Sequence, residues 1–137
     1  LGAVLAAGID YLRARGDIPE TALLVPAPTR ASSARKRGGD PVAALCRAAS
    51  ARLPGWDVVN ALMTAEGSAD QSQLNATERT DNMRSAVRLL PSARMLAGRS
   101  VLLVDDVITT GATLRASAAR VWAVGGDVAG AIALADA

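Results

Sequence analysis

The sequence predicts an α/β protein of one domain, in which a central, mainly parallel sheet is flanked by helices. Three observations support this fold class. Short apolar segments alternate with segments of helical spacing, which is typical of parallel α/β sheets. Residues 101–104 (VLLV) are apolar without interruption, as expected of a strand that is covered on both faces. The length of 137 residues suits one domain with a core of its own.

Apolar spacing, glycine and proline set the predicted boundaries of each element. The first helix, residues 2–15, repeats Val4, Leu5, Ile9 and Leu12 at helical spacing. The other helices are predicted at 41–52, 75–84 and 113–124, and the strands at 22–25, 57–63, 86–90, 100–104 and 128–134. The segment 65–74 has no periodicity, and we expect it to be mobile. Alanine-rich helix faces indicate core or subunit contact, which leaves a homodimer open.

The composition excludes several kinds of active site. The chain has one cysteine and no histidine, so an internal disulfide, a cysteine-based zinc site and a Ser-His-Asp triad are impossible. Cys46, on an alanine-rich helix, is predicted to be a buried thiol. A cytoplasmic location is expected, with no signal peptide and no membrane span. Because the chain starts at Leu1, we expect it to be a piece of a longer protein.

The most informative stretch is VLLVDDVITTGAT, residues 101–113, where two adjacent aspartates follow an apolar strand. Ligands of parallel α/β sheets bind beyond the carboxyl ends of the strands, where Asp105 and Asp106 are predicted to lie. The loop 109–113 leads into a helix, whose free amide groups and hydroxyl neighbours suit a phosphate. A ribose placed between the two aspartates and the phosphate would keep these negative charges apart. The stretch therefore favours a ribose 5-phosphate ligand.

This stretch resembles the phosphoribosyl-pyrophosphate (PRPP) signature of type I phosphoribosyltransferases. Across the chain, the resemblance is closest to the ComF family of competence-associated proteins. VPAPTRASSARKRGGD, residues 25–40, is similar to that family's Val-Pro-x-Pro segment with its basic loop. QSQLNATERTDN, residues 71–82, is similar to its Gln-Ser-x-Leu, Glu-Arg and Asn segment. The chain departs from the family at 37–41, where it lacks an aromatic residue and a glutamine, and it carries none of the cysteine-rich zinc module of many relatives.

The resemblance implies a role for each matching residue. Magnesium would bind through PRPP rather than through direct protein ligands, and pyrophosphate would be displaced from C1 by a nitrogen acceptor. The implied contacts are Asp105 and Asp106 on the ribose hydroxyls, Thr109, Thr110, Gly111, Ala112 and Thr113 on the 5-phosphate, Pro28, Thr29 and Arg30 on the pyrophosphate, and Arg79 in a flexible loop over the site.

Several alternatives stay open at the level of sequence. Asp106 is also suited to be a helix N-cap, with the threonines as ordinary turn residues. Arg35, Lys36 and Arg37 suit pyrophosphate capture, contact with a nucleic-acid backbone, or a solvated loop. The same fold without turnover would suit a PRPP- or nucleotide-sensing protein, or an accessory protein of DNA uptake. A Walker B strand and a response-regulator receiver domain fit less well, because their lysines are missing.

Overall fold

The computed structural model describes residues 1–28, 40–64 and 87–136, and it confirms the α/β architecture. Residues 29–39 and 65–86 lie outside the described residues, and with them the predicted mobile segment 65–74 and the predicted helix 75–84. In chain order the elements are α1 (Gly2–Ala14), β1 (Leu23–Pro26), α2 (Pro41–Ser50), β2 (Leu62–Thr64), β3 (Val87–Leu89), a 3₁₀ helix (Pro91–Leu96), β4 (Ser100–Ile108), α3 (Ala112–Ala123) and β5 (Asp127–Asp136).

Strand β4 is the centre of the main sheet, with β1 and β5 as its parallel neighbours. The register pairs Leu23 with Val101 on one side and Ser100 with Asp127 on the other. A parallel bridge from Leu24 to Val58 continues the sheet beyond β1. Strands β2 and β3 form a separate antiparallel pair. Because all three main strands run in one direction, their carboxyl ends meet at one edge of the sheet.

The side chains of β4 alternate between two apolar cores, one on each face of the sheet. On one face, Leu102 and Val104 pack with residues of α1 and α2. On the other face, Val101 and Leu103 pack with residues of α3, β3 and the 3₁₀ helix. All four of these side chains are 0–1% exposed. Burying each stabilises the fold by about 1.5–3 kcal/mol, so β4 is held firmly in place.

Helix α2 begins with an aspartate N-cap, Asp40, followed by Pro41 in the first turn. The Asp40 Oδ1 atom accepts hydrogen bonds from the backbone amides of Val42 at 2.9 Å and Ala43 at 3.3 Å. Pro41 occupies the first turn, where its missing amide hydrogen costs nothing. The predicted start of this helix is therefore confirmed, and Asp40 is fixed beside it.

Helices α1 and α2 pack closely because their facing residues are small. A Cβ atom on Gly2 would come within 2.5 Å of the Cβ atom of Ala48. Cys46 is fully buried, as predicted, and burial raises the pKa of its thiol to about 12. No helix of the described residues is both long and apolar enough to cross a membrane.

Several details of the fold differ from what the sequence predicts. The predicted strand 57–63 is not continuous, since Val58 makes only a bridge to β1 and the strand β2 begins at Leu62. The 3₁₀ helix was not predicted, because a segment so short shows no periodicity. Val4, predicted on the apolar face of α1, is 60% exposed, whereas Leu5 and Ile9 are buried.

Candidate functional site

Strand β4 extends farther than the sequence predicts, and Asp105 and Asp106 lie within it rather than after it. Of the two strands beside β4, β1 ends first, where Pro26 pairs with Val104. Beyond that point β5 alone continues the ladder, pairing Asp105 with Ala133 and later residues of the two strands with each other. The two carboxylates are therefore placed by a paired strand at the carboxyl edge of the sheet.

The two aspartates differ in environment. Asp105 is only 5% exposed, whereas Asp106 is exposed. The Asp105 Oδ1 atom accepts a hydrogen bond from the Asp106 amide at 2.8 Å, and the Asp106 Oδ1 atom accepts one from the Val107 amide at 2.8 Å. Burial, the neighbouring Asp106 carboxyl and the charge of Asp40 together raise the pKa of Asp105 to about 6, although the hydrogen bond from the Asp106 amide lowers it. The site thus holds a buried carboxyl whose charge is poorly compensated.

A consequence for stability follows from this raised pKa. Because the pKa of Asp105 in the folded state lies above that of an unfolded aspartate, its favourable contribution is fully present below about pH 4 and is lost as the pH rises through about 6. We expect Asp105→Asn to raise the free energy of unfolding relative to the wild type by about 1–3 kcal/mol more at pH 8 than at pH 4. Urea unfolding at both pH values measures this difference. Asp127→Asn, an exposed site at the start of β5, is the control, and an equal effect at both pH values for Asp105→Asn would contradict the assignment.

The loop after β4 leads directly into α3. Thr109 and Thr110 are exposed, and Gly111 is the N-cap of the helix. The alternative in which Asp106 caps this helix is wrong, because β4 still continues at Asp106. Gly111 has no side chain with which to cap, and the Thr110 Oγ1 atom accepts a hydrogen bond from the Ala112 amide at 3.2 Å. The amino end of α3 thus retains the positive character that attracts anions.

One concavity connects the buried carboxylate with this loop. It is an open concavity of about 220 Å³, a volume that includes space open to solvent. Its lining consists of Asp105, Val107, Ile108, Thr109, Thr110, Gly111, Ala112, Thr113 and Leu114. The structure therefore brings Asp105 together with all five residues that the sequence predicts at a phosphate, and Asp106 lies beside them outside the lining.

A family model decides the family of the chain. The model of the phosphoribosyl transferase domain matches residues 37–137, which is more than half of the sequence. The chain belongs to the phosphoribosyl transferase domain family. The match includes both aspartates and the loop after them, but it begins after β1.

Solved structures of phosphoribosyltransferases share this fold. A hypoxanthine phosphoribosyltransferase from Staphylococcus aureus is similar at a TM-score of 0.51 and 13% identity, over 98% of this chain and 64% of that one. An orotate phosphoribosyltransferase from Mycobacterium tuberculosis H37Rv is similar at a TM-score of 0.49 and 22% identity, over 98% and 60%. The chain thus spans less than two thirds of the length of these structures. No curated protein matches it.

The first predicted loop of this phosphoribosyl transferase domain starts at the same edge of the sheet. The Ala27 amide donates a hydrogen bond to the Val104 carbonyl at 2.7 Å, and Pro28 follows as a buried residue. Asp40, at the other end of the loop, is close enough for its charge to act on Asp105. The remaining predicted residues lie outside the described residues, namely Thr29, Arg30, Arg35, Lys36, Arg37 and Arg79.

The donor set of the domain can be compared with the expected magnesium. Carboxylate oxygens are ligands that magnesium prefers, and Asp105 and Asp106 supply them. Among residues 1–28, 40–64 and 87–136, however, no group of three potential ligands is arranged to hold a metal ion. Asp105 and Asp106 thus supply carboxylate oxygens, but within the described ranges they do not make up a complete ligand set.

One residue at the loop was missed in the sequence. Arg115 lies in the first turn of α3, and its Nη1 atom donates a hydrogen bond to the Thr110 carbonyl at 3.0 Å. The sequence did carry a signal, because a cation near the amino end of a helix opposes the helix dipole. The guanidinium therefore lies against the loop residues Thr110 and Gly111, which line the concavity.

Proposed function

We propose that this domain binds PRPP and transfers its phosphoribosyl group to a nitrogen acceptor, with release of pyrophosphate. The observation that carries the proposal is that Asp105 and loop residues 109–113 line the same concavity. Membership of the phosphoribosyl transferase domain family supports the same chemistry. Because the chain spans less than two thirds of the length of the similar structures, the activity of the whole protein is also part of this proposal.

In the proposed complex, the ribose lies between the two charged parts of the site. Asp105 and Asp106 accept hydrogen bonds from its 2′ and 3′ hydroxyls, and the loop amides and threonine hydroxyls donate to the 5-phosphate. The hydroxyl donors would offset the cost of the buried Asp105 charge, which the protein alone leaves poorly compensated. The negative charge near C1 then stabilises the positive charge that develops as the bond to pyrophosphate breaks.

The pyrophosphate end of the proposed site begins at Pro28. Because β1 ends beside Val104, Ala27 and Pro28 follow it next to Asp105. We assign Pro28, Thr29 and Arg30 to the leaving pyrophosphate and Arg79 to a loop over the ligand. Magnesium, when bound through PRPP, would offset the charge of the leaving group.

The finer assignment is to the ComF branch of the family, and it rests on the sequence segments 25–40 and 71–82. That branch carries an association with competence, which the fold does not test. In this assignment Arg35, Lys36 and Arg37 are candidates for nucleic-acid contact as well as for pyrophosphate capture, and a homodimer is one assembly that fits. Competition between DNA and PRPP for the protein would measure whether one basic loop serves both.

Calorimetric titration with PRPP, with and without magnesium, tests the proposed site. We expect PRPP binding that strengthens when magnesium is present. The ion would neutralise the pyrophosphate of the ligand, which otherwise lies near the carboxylates of Asp40, Asp105 and Asp106. Ribose without phosphate is the control ligand and should bind far more weakly. Absence of PRPP binding under both conditions would overturn the proposal.

A turnover assay then separates an enzyme from a sensor. Pyrophosphate release is followed with PRPP and a panel of nitrogen bases and amines. Release that depends on one acceptor supports the transferase. Binding of PRPP without release for any acceptor would favour the non-catalytic sensor or accessory protein on the same fold.

A further inference from the structure

We propose that Arg115 is a ligand of the 5-phosphate and makes the site selective for phosphorylated ribose. This inference rests on the proposed function and deepens it. Two separate positions in the structure define where the guanidinium lies. Its Nη1 atom is 3.0 Å from the Thr110 carbonyl oxygen, and it would lie 2.9 Å from a Cβ atom placed on Gly111. The side chain is therefore folded back against Thr110 and Gly111, two residues that line the proposed phosphate site.

The charge of Arg115 is not balanced within the described part of the chain. Helix α3 has no acidic residue in its first turn, and its amino end already carries positive character. The ion pairs of the described residues join Arg13 to Asp10 and Arg15 to Asp17, and none involves Arg115. A cation in this position is unfavourable for the free helix, and such a local conflict is typical of a ligand site.

The Arg115 guanidinium also has more hydrogen-bond donors than the structure shows bonded within residues 87–136. Arginine has five donors in a planar fork, and within residues 87–136 one of them is bonded to a backbone carbonyl. A phosphate monoester offers several acceptor oxygens and pairs with arginine through two parallel hydrogen bonds. We expect the guanidinium to exchange the Thr110 carbonyl for the phosphate when the ligand binds. The Thr110 carbonyl is on an exposed residue, so water replaces the lost donor.

Two substitutions at this position separate the contact from mere support of the loop. Arg115→Gln removes the charge and the fork, whereas Arg115→Lys keeps the charge and removes the fork. Arg99→Gln is the matched control, because Arg99 is an exposed arginine just before the opposite end of β4. Titration with ribose 5-phosphate measures affinity for the phosphate, and titration with inorganic pyrophosphate measures the other end of the proposed site.

We expect Arg115→Gln to weaken ribose 5-phosphate binding about ten- to a hundredfold, Arg115→Lys to recover part of that loss, and Arg99→Gln to bind as the wild type does. The loss should be larger at pH 7.5 than at pH 5, because the phosphate gains its second charge near pH 6. Pyrophosphate affinity should change little. Thermal unfolding checks that each variant is folded. If Arg115→Gln does not fold, the affinity of Arg115→Lys alone tests the proposal.

The outcomes separate the two proposals. If the wild type binds neither PRPP nor ribose 5-phosphate, the proposed function fails and this inference fails with it. If the wild type binds both and Arg115→Gln binds equally well, only the role of Arg115 is overturned. An equal loss at both pH values, or an equal loss for pyrophosphate, would make Arg115 a support of the loop and would also overturn its role as a phosphate ligand.

Discussion

Replacement of both Asp105 and Asp106 by asparagine is expected to weaken PRPP binding about a hundredfold or more, with a larger fall in turnover. Each carboxylate would lose a charge-assisted hydrogen bond to a ribose hydroxyl, although the asparagine oxygen retains a weaker acceptor. The loss of two negative charges near C1 further raises the energy of the transition state. Calorimetric titration and pyrophosphate release measure the two effects separately.

The control for this double variant is Asp57→Asn combined with Asp127→Asn. Both residues are exposed, lie outside the proposed site and change the net charge by the same amount. The site variant should remain folded, because removal of the Asp105 charge stabilises the protein at neutral pH. Equal PRPP affinity in the site variant and the control variant would remove both aspartates from the proposed site.

The second large effect is expected at Gly111, the N-cap of α3. Its φ angle is +80°, a left-handed conformation that costs a residue with a side chain about 1–2 kcal/mol. A Cβ atom there would also displace the Arg115 guanidinium, whose Nη1 atom would be 2.9 Å away. We therefore expect Gly111→Ala to lose about 1 kcal/mol of stability and about tenfold or more in affinity for ribose 5-phosphate.

Gly98 provides a matched control for the backbone strain. It has a φ angle of +73°, and a Cβ atom there would meet nothing within 4 Å. Gly98→Ala should lose a similar amount of stability while its affinity for ribose 5-phosphate stays that of the wild type. Urea unfolding and calorimetry on the same two variants make the comparison. If both variants bind equally well, the loop around Gly111 does not hold the phosphate.

Most of the fold was predictable because the apolar pattern of the main sheet is strong. Strands buried on both faces, such as the start of β4, have few polar residues to confuse the pattern. The end of β4 was not predictable, since aspartate is depleted in strands. Pairing of Val107 with Ala135 in β5 overrides that preference, and no local signal reports a tertiary partner. The prediction of a continuous strand at 57–63 was wrong for a similar reason, because Leu24, the partner of Val58, is distant in the sequence.

The candidate site was predictable as a set of residue types, but its electrostatics were not. The sequence puts Asp105 and Asp106 side by side, yet only the fold makes one buried and the other exposed. The influence of Asp40 on Asp105 depends on the packing of α2 against the sheet, which no spacing reveals. Arg115 could have been found from its conflict with the helix dipole alone.

The position of β4 between β1 and β5 has a consequence for the order of folding. Strand β5 meets β4 after a single intervening helix, whereas β1 is separated from β4 by about half of the chain. Closing a long loop costs more entropy than closing a short one, so contacts that are local in sequence form sooner. The unit from β4 through α3 to β5 is thus expected to assemble first and to contain the whole phosphate loop. Arrival of β1 then completes the sheet and brings the beginning of the pyrophosphate loop to Asp105, so the two ends of the proposed site form at different stages.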